Sequence, residues 1–290
     1  MSTAQSDSSL DREAMRLARE STGGVAWGTI SLCLGVVIAY AAVFVAVATG
    51  HLGMAAGFVI NGLLVYASYT VLHEAVHGNI SGFGQPTRWY NEALGILAGF
   101  MMSIPLTIHR TEHLAHHRKT NDPEADPDMW TAANTPVTFF SLIRVSFISI
   151  SRQYTLYAEH WSKATDREKR LVAIEILGIV GIRGGLALAG FGQEVLWLTI
   201  LANLLGNFII VTFFAVAVHH PNAAMGRYVD TSTIVFRSWV NTPITWVWLW
   251  QNYHSIHHLF PRVPFYRYAK VFDRIRGIMV KRGATIHEFG

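Results

Sequence analysis

The sequence predicts an all-α integral membrane protein with four transmembrane helices in two hairpins, interfacial helices and a cytoplasmic cap rich in histidine. Three observations carry that prediction. Of the 290 residues, 51% are hydrophobic and only 14% charged, with a mean hydropathy of +0.29, whereas a soluble domain carries about a quarter charged residues. Four apolar stretches are long enough to cross a bilayer, which takes about 20 helical residues. The basic residues lie almost entirely on one side of those stretches.

In chain order, residues 1–24 form a cytoplasmic N-terminal segment, polar and marked by Arg12, Arg16 and Arg19, that reads as a short amphipathic or disordered lead-in. The apolar stretch that follows is too long for a cleavable signal core. Residues 25–290 form a single membrane-embedded domain. Its spans run from Val25 to Thr49, Met54 to Leu72, Leu171 to Gly190 and Val195 to Val218. The tight connections Gly50–Gly53 and Phe191–Glu194 contain no Lys or Arg, and of 23 basic residues only Arg183 falls within the hairpins. The positive-inside rule therefore places both termini and the long middle segment in the cytoplasm. Ala93–Ile108, interrupted by Pro105, is expected to be re-entrant or interfacial. Val137–Ile150, broken by Arg144, is expected to lie on the membrane as an amphipathic helix. Ile234–Gln251, with Trp239, Trp246, Trp248 and Trp250, is expected at the interface.

Composition also narrows the chemistry. A single cysteine, Cys33, excludes a disulfide framework and any thiolate cluster, so a bound metal must use nitrogen or oxygen. The net charge of +4 is not gathered into an aromatic-interleaved patch, so nucleic acid is not an expected partner. The 14 histidines fall largely into three boxes: His73 and His77; His113, His116 and His117; His254, His257 and His258. Spacings of three and four residues project side chains from one helical face. The topology brings all three boxes to the same side of the membrane. Eight imidazoles exceed what one ion accepts, since tetrahedral zinc takes four, and two metals sharing the set is the natural solution. Imidazole suits zinc, copper, iron and nickel alike. Iron is preferred because an apolar setting without a nucleophile points to C–H chemistry, which requires a redox metal and dioxygen.

Two other classes compete. His73-Glu74-x-x-His77 matches the zinc-protease pattern in which glutamate is the general base, but that reading leaves the other two boxes idle. A metal transporter would place its ligands within the spans near the midplane, where this sequence has no histidine. Asn203 and Asn207, one turn apart in the fourth span, are expected to make interhelical hydrogen bonds.

In order and spacing the boxes resemble those of the membrane fatty acid desaturase and hydroxylase superfamily, from about Tyr66 to Tyr268. The run HLAHHRKTNDPEADPDMW at 113–130 and the run QNYHSIHHLFPRVPFY at 251–266 look most like the bacterial β-carotene ring hydroxylases and ketolases. Acyl-lipid desaturases share the ending of the latter. The resemblance implies a di-iron centre that consumes O2, a ferredoxin-type electron donor, a carotenoid or other hydrophobic lipid substrate, and a bacterial inner membrane with the active site cytoplasmic. It also implies a ninth ligand at the end of the fourth span, His219, with His220 the neighbouring alternative. Glu74, Glu112, Asp126 and Asp128 are candidates to hold the distal ring nitrogens of ligand histidines. His109 is a further outer candidate, and Asn252 is placed to reach a metal-bound water. Arg262, Arg267, Lys270, Arg274, Arg276, Lys281 and Arg282 after the third box offer a docking surface for an acidic ferredoxin or for anionic headgroups.

Overall fold

The computed structural model describes residues 3–82, 89–129, 137–220, 222–237 and 239–290; Trp130, which ends the first run quoted above, lies outside them. Helix α1 (Thr3–Arg19) is followed by α2 (Trp27–Ala48) and α3 (Met54–Val76). Gly50, at φ 77°, supplies the left-handed residue of the turn between the last two. Among the described residues, three helices are long and apolar enough to cross a membrane, or four if one bent pair is counted as a single span. Two of them are α2 and α3.

The third is a run of 54 residues, Asp166–His219, which at 1.5 Å per residue would be about 80 Å long, far beyond a bilayer of roughly 30 Å. It is broken at Gly190, whose φ of 101° no helix contains. Arg183 Nε donates to Thr199 Oγ1 at 3.2 Å, although their separation along a straight helix would be about 24 Å. The chain therefore doubles back. Helix α7 (Asp166–Leu186) descends to this break. A return arm rises from it through α8 (Gly192–Val195), α9 (Ala202–Ile210) and α10 (Ala217–His219), with π-helical turns at Leu196–Leu201 and Val211–Val216 between them. The reversal sits at Gly190 and not at the expected 191–194, because glycine alone adopts that φ without strain.

Helix α3 and the return arm approach closely. A Cβ at Gly206 would stand 2.5 Å from Val65 Cγ1 and 2.8 Å from the Gly62 carbonyl oxygen, the small-residue contact that membrane helices use in place of a hydrophobic drive. Buried amides tie the bundle as expected. Asn61 donates to Leu198 O at 3.1 Å, Asn203 to Ser103 Oγ at 2.8 Å, and Asn207 to Ser146 O and Ser149 Oγ at 2.5 and 2.6 Å.

The expected re-entrant segment is a bent pair. Helix α4 (Trp89–Met102) meets α5 (Leu106–Lys119) at 95°. Pro105 caps α5, and Ser103 takes φ 57° between them. Helix α6 (Phe139–His160) is longer than the expected 137–150 and continues through Arg144. It is not simply laid on the bilayer, because Asn207 and the Gln153–His109 pair fasten it to α9 and α5.

The cap departs from an all-α fold. Strand β1 (Ser232–Phe236) pairs in parallel with β2 (Thr285–Phe289), Ser232 opposite Thr285 and Phe236 opposite Phe289. The expected interfacial stretch 234–251 thus divides into β1, helix α11 (Asn241–Val247) and a tight turn. Trp239 and Trp246 are exposed, whereas Trp248 is buried and donates to Phe213 O. Helix α12 (His254–Leu259) carries the third histidine box, and α13 (Tyr268–Lys281) buttresses it. The N-terminal lead-in is an ordered helix. Helix α1 buries Ala14 and Ala18 in the cluster that includes Ile275 and Met279 of α13. Asp7 and Asp11 meet Arg282 at 2.6 and 3.3 Å, and Glu20 meets Arg274 at 2.6 Å.

Candidate metal centre

Four elements bring histidines to one place. The last turn of α3 carries His73 and ends at His77, inside a helix longer than the expected second span. Helix α5 presents His113, His116 and His117, the end of the return arm presents His219, and α12 presents His254, His257 and His258. The rings fall into two groups able to hold a metal ion, one of His73, His77, His113, His117 and His257 and one of His116, His219 and His258. His254 joins the second, its Nε2 3.1 Å from those of both His219 and His258.

The spacing is that of ligands. In the first group the Nε2 atoms of His77 and His113 are 3.0 Å apart, those of His113 and His117 3.0 Å, and those of His117 and His257 2.7 Å. Imidazole–metal bonds are about 2.0–2.1 Å, so two ligands at a right angle on one ion have nitrogens about 3 Å apart. A hydrogen-bonded set would alternate donors with acceptors. Here nitrogens of one kind converge. His73 is 1% exposed, and neither ring nitrogen has a hydrogen-bond partner among the described residues, an arrangement costly for a buried polar group unless a cation satisfies it. The residues present fit a pair of metal ions.

Outer partners set the tautomers. His116 Nδ1 lies 2.8 Å from Asp126 Oδ1, and that carboxylate is itself fixed by the backbone N–H groups of Asn121 and Asp128. His254 Nδ1 faces Gln251 Oε1 at 2.9 Å, and His257 Nδ1 faces the Tyr268 hydroxyl at 3.1 Å. A proton held at Nδ1 leaves the Nε2 lone pair to point inward. Burial pushes His254 down to about 3 and holds His257 and His258 well below the usual histidine range, so all three are neutral, the form that binds metal.

Of the outer candidates read from the sequence, Asp126 touches a cluster histidine. Asp128 stands farther off, 3.9 Å from His116 Nδ1. His109 stacks on His113 with ring centres 5.4 Å apart and turns its Nδ1 to Gln153. Glu74 faces away, accepting from Asn79 at 3.2 Å and Thr29 at 3.4 Å. Glu112 is buried with neither oxygen bonded among the described residues. Asn252 ties β1 to α11 through Ile234 O and Thr245 Oγ1. His220 stays outside both groups. Gln251 and Tyr268 are the partners that sequence reasoning missed. Gln251, three residues before His254, had a usable spacing, whereas Tyr268 reaches His257 only because α13 folds back.

A cavity opens from the second group. His116, His219 and His254 form one end, and Tyr69, Ile210 and Phe214 are among its apolar walls. The basic stretch after the third box is largely committed within the chain. Arg274 and Arg282 bind α1, Arg276 pairs with Glu288, and Arg267 donates to Ser21 O.

Comparison with known proteins shows the family. The fatty acid desaturase family model matches residues 49–290. The chain is 20% identical over 254 residues to the Delta(12) fatty acid dehydrogenase of Crepis alpina, covering 73% of this chain and 64% of that protein. It is 24% identical over 217 residues to the sphingolipid delta(4)-desaturase DES1 of Drosophila melanogaster, covering 74% and 64%. The chain thus spans somewhat under two thirds of the length of each relative. The match covers every histidine of both groups, and the chain belongs to the fatty acid desaturase family, whose members are oxidoreductases.

Proposed function

We propose that the protein oxidises C–H bonds of a membrane lipid with O2 at a non-haem di-iron centre. Its ligands are His73, His77, His113, His116, His117, His219, His254, His257 and His258. The observation that carries this reading is the convergence of nine buried or half-buried imidazoles in two groups, with His113, His116, His219 and His254 lining a cavity. Two irons held there would supply activation of O2 and removal of hydrogen from an unactivated C–H bond.

The chain's own contribution is positional. Asp126, Gln251 and Tyr268 hold protons or hydrogen bonds at Nδ1 and so aim the Nε2 lone pairs. Tyr69 and Phe214 keep the approach apolar and orient an extended chain. In the membrane, α2, α3, α7 and the return arm form four spans in two hairpins. The basic face that carries the histidines is cytoplasmic, where a ferredoxin-type carrier delivers electrons. The zinc-protease reading fails at Glu74, whose oxygens are turned to Asn79 and Thr29. The transporter reading fails because the histidines gather at the helix ends.

The two relatives are named for a fatty acid and a sphingolipid, so desaturation of an acyl-type chain is the first form of the reaction. Hydroxylation of a carotenoid ring is the second, favoured by the extended runs around the second and third boxes. Expression in a host that makes β-carotene, followed by fatty acid and pigment analysis, separates the two. A new double bond with unchanged pigment supports the first, and hydroxylated pigment with unchanged lipids the second. One zinc and no iron per purified chain would overturn both.

A further inference from the structure

The backbone between α4 and α5 breaks inside the bundle, and the carbonyls of Phe100, Met101 and Ser103 are each met by a side chain from a different helix. Arg183 of α7 donates Nη2 to Phe100 O at 2.8 Å, with its guanidinium 4.9 Å over the Phe100 ring. Asn203 of α9 donates to Ser103 Oγ at 2.8 Å and to Met101 O at 3.4 Å. Tyr154 of α6 donates to Ser103 O at 2.5 Å. The turn is closed by Ile104 N to Gly99 O at 3.0 Å, and a Cβ on Gly99 would stand 2.5 Å from Ile104 O. Helix-terminal carbonyls have no water to turn to in apolar surroundings, and these three ties explain how a break is tolerated there.

The clamped segment also faces the cavity. Met102 and Ile104 line it, as does Asn207 of α9. Asn207 lies 12 residues before His219, roughly 18 Å of helix. Asn203, which grips the bend, is one turn farther still. The bend therefore stands at the end of the cavity remote from His219.

We infer that the clamped bend is a length stop for the lipid chain. Met102 and Ile104 meet its far end. Arg183, Asn203 and Tyr154 are positioning residues that fix where this wall stands, and hence which carbon lies at the histidines. The inference rests on reading the cavity as the lipid site. Because the wall is held from three helices, it neither yields to a longer chain nor follows a shorter one.

The test uses the purified protein with its metals in place, in lipid nanodiscs kept free of O2 and reductant, and a graded series of fluorescent polyene fatty acids of increasing length. The wild type should bind with a sharp upper limit. Met102→Trp should weaken the longest probes by about tenfold or more, the cost of excess methylenes in a closed pocket, and leave the shortest unchanged. Tyr154→Phe keeps the ring but releases Ser103 O, and should move the limit to longer probes. If Met102→Trp does not accumulate as folded protein, Ile104→Phe fills the same wall. Equal changes at every length, or none, would overturn the length stop. A sharp limit in a protein that oxidises no lipid would overturn the proposed function and leave the length stop standing.

Discussion

Two buried polar assemblies face each other along one cavity. At the clamped bend, side-chain donors meet oxygen acceptors, from Arg183 to Phe100 O, from Tyr154 to Ser103 O and from Asn203 to Ser103 Oγ. At the histidines, Nε2 atoms meet Nε2 atoms at 2.7–3.1 Å, and His73 has no partner among the described residues. Both lie in apolar surroundings where an unmatched polar group is expensive. The first is held together by protein donors, with only the Asn203 Oδ1 left without a partner among these clamp atoms, and the second gathers ring nitrogens able to hold metal ions. Burial by itself does not mark a site. What marks it is that groups of the same kind point at a common centre.

The comparison breaks most sharply if a cluster histidine can be removed without consequence. His258→Ala should lower the iron content from about two per chain and abolish oxidation. The effect should exceed the roughly 10–100-fold that loss of an outer partner costs. Elemental analysis beside product assay would show it, and full occupancy with normal activity would remove the distinction between the assemblies. At the finished end the expected effect is smaller. Asn207→Leu loses two donations to α6 and should destabilise the bundle by about 0.6–1.7 kcal/mol, read as a lowered unfolding midpoint, with metal content unchanged.

The smallest effect belongs to a solvent-facing assembly. The Arg274 guanidinium beside Glu20 holds that carboxyl below its ordinary value. Its contribution to docking of α1 is therefore present at neutral pH and fades as pH falls through the folded-state value. Limited proteolysis should clip α1 faster in acid than at neutral pH. Glu20→Gln should flatten that difference, and high salt should mimic the acid.

Much of this was legible in the sequence because it depends on short-range spacing. Three- and four-residue intervals place the histidines on helical faces, and long apolar stretches, two of them followed by tight turns without Lys or Arg, mark the helices of the bundle. A polar residue inside an apolar helix must find a partner, which is why Asn203 and Asn207 could be assigned to helix contacts before any geometry was known. The features that escaped depend on distant pieces meeting. Strands β1 and β2 are five residues each and far apart in sequence, so no hairpin signal marks them. Tyr268 reaches His257 through the fold of α13, Arg274 and Arg282 are claimed by acids of the N-terminal segment, and Arg276 by Glu288 of β2. Arg144 suggested an amphipathic helix laid on the membrane, but the residue is only part-way along α6, where a long charged side chain can reach out from an apolar helix.

The order in which the ligand groups become available follows from where their members lie in the chain. Residues up to His117 already contain four of the five histidines of the first group but only His116 of the second. The second gains His219, then His254 and His258, near the end of synthesis. At about 5–20 residues per second, the ribosome takes on the order of ten seconds or more to travel from His117 to His258. During that interval a nascent chain carries one nearly finished nest of imidazoles and one that hardly exists. On the proposed di-iron reading, the first group therefore meets the cell's divalent metals before the second exists beside it.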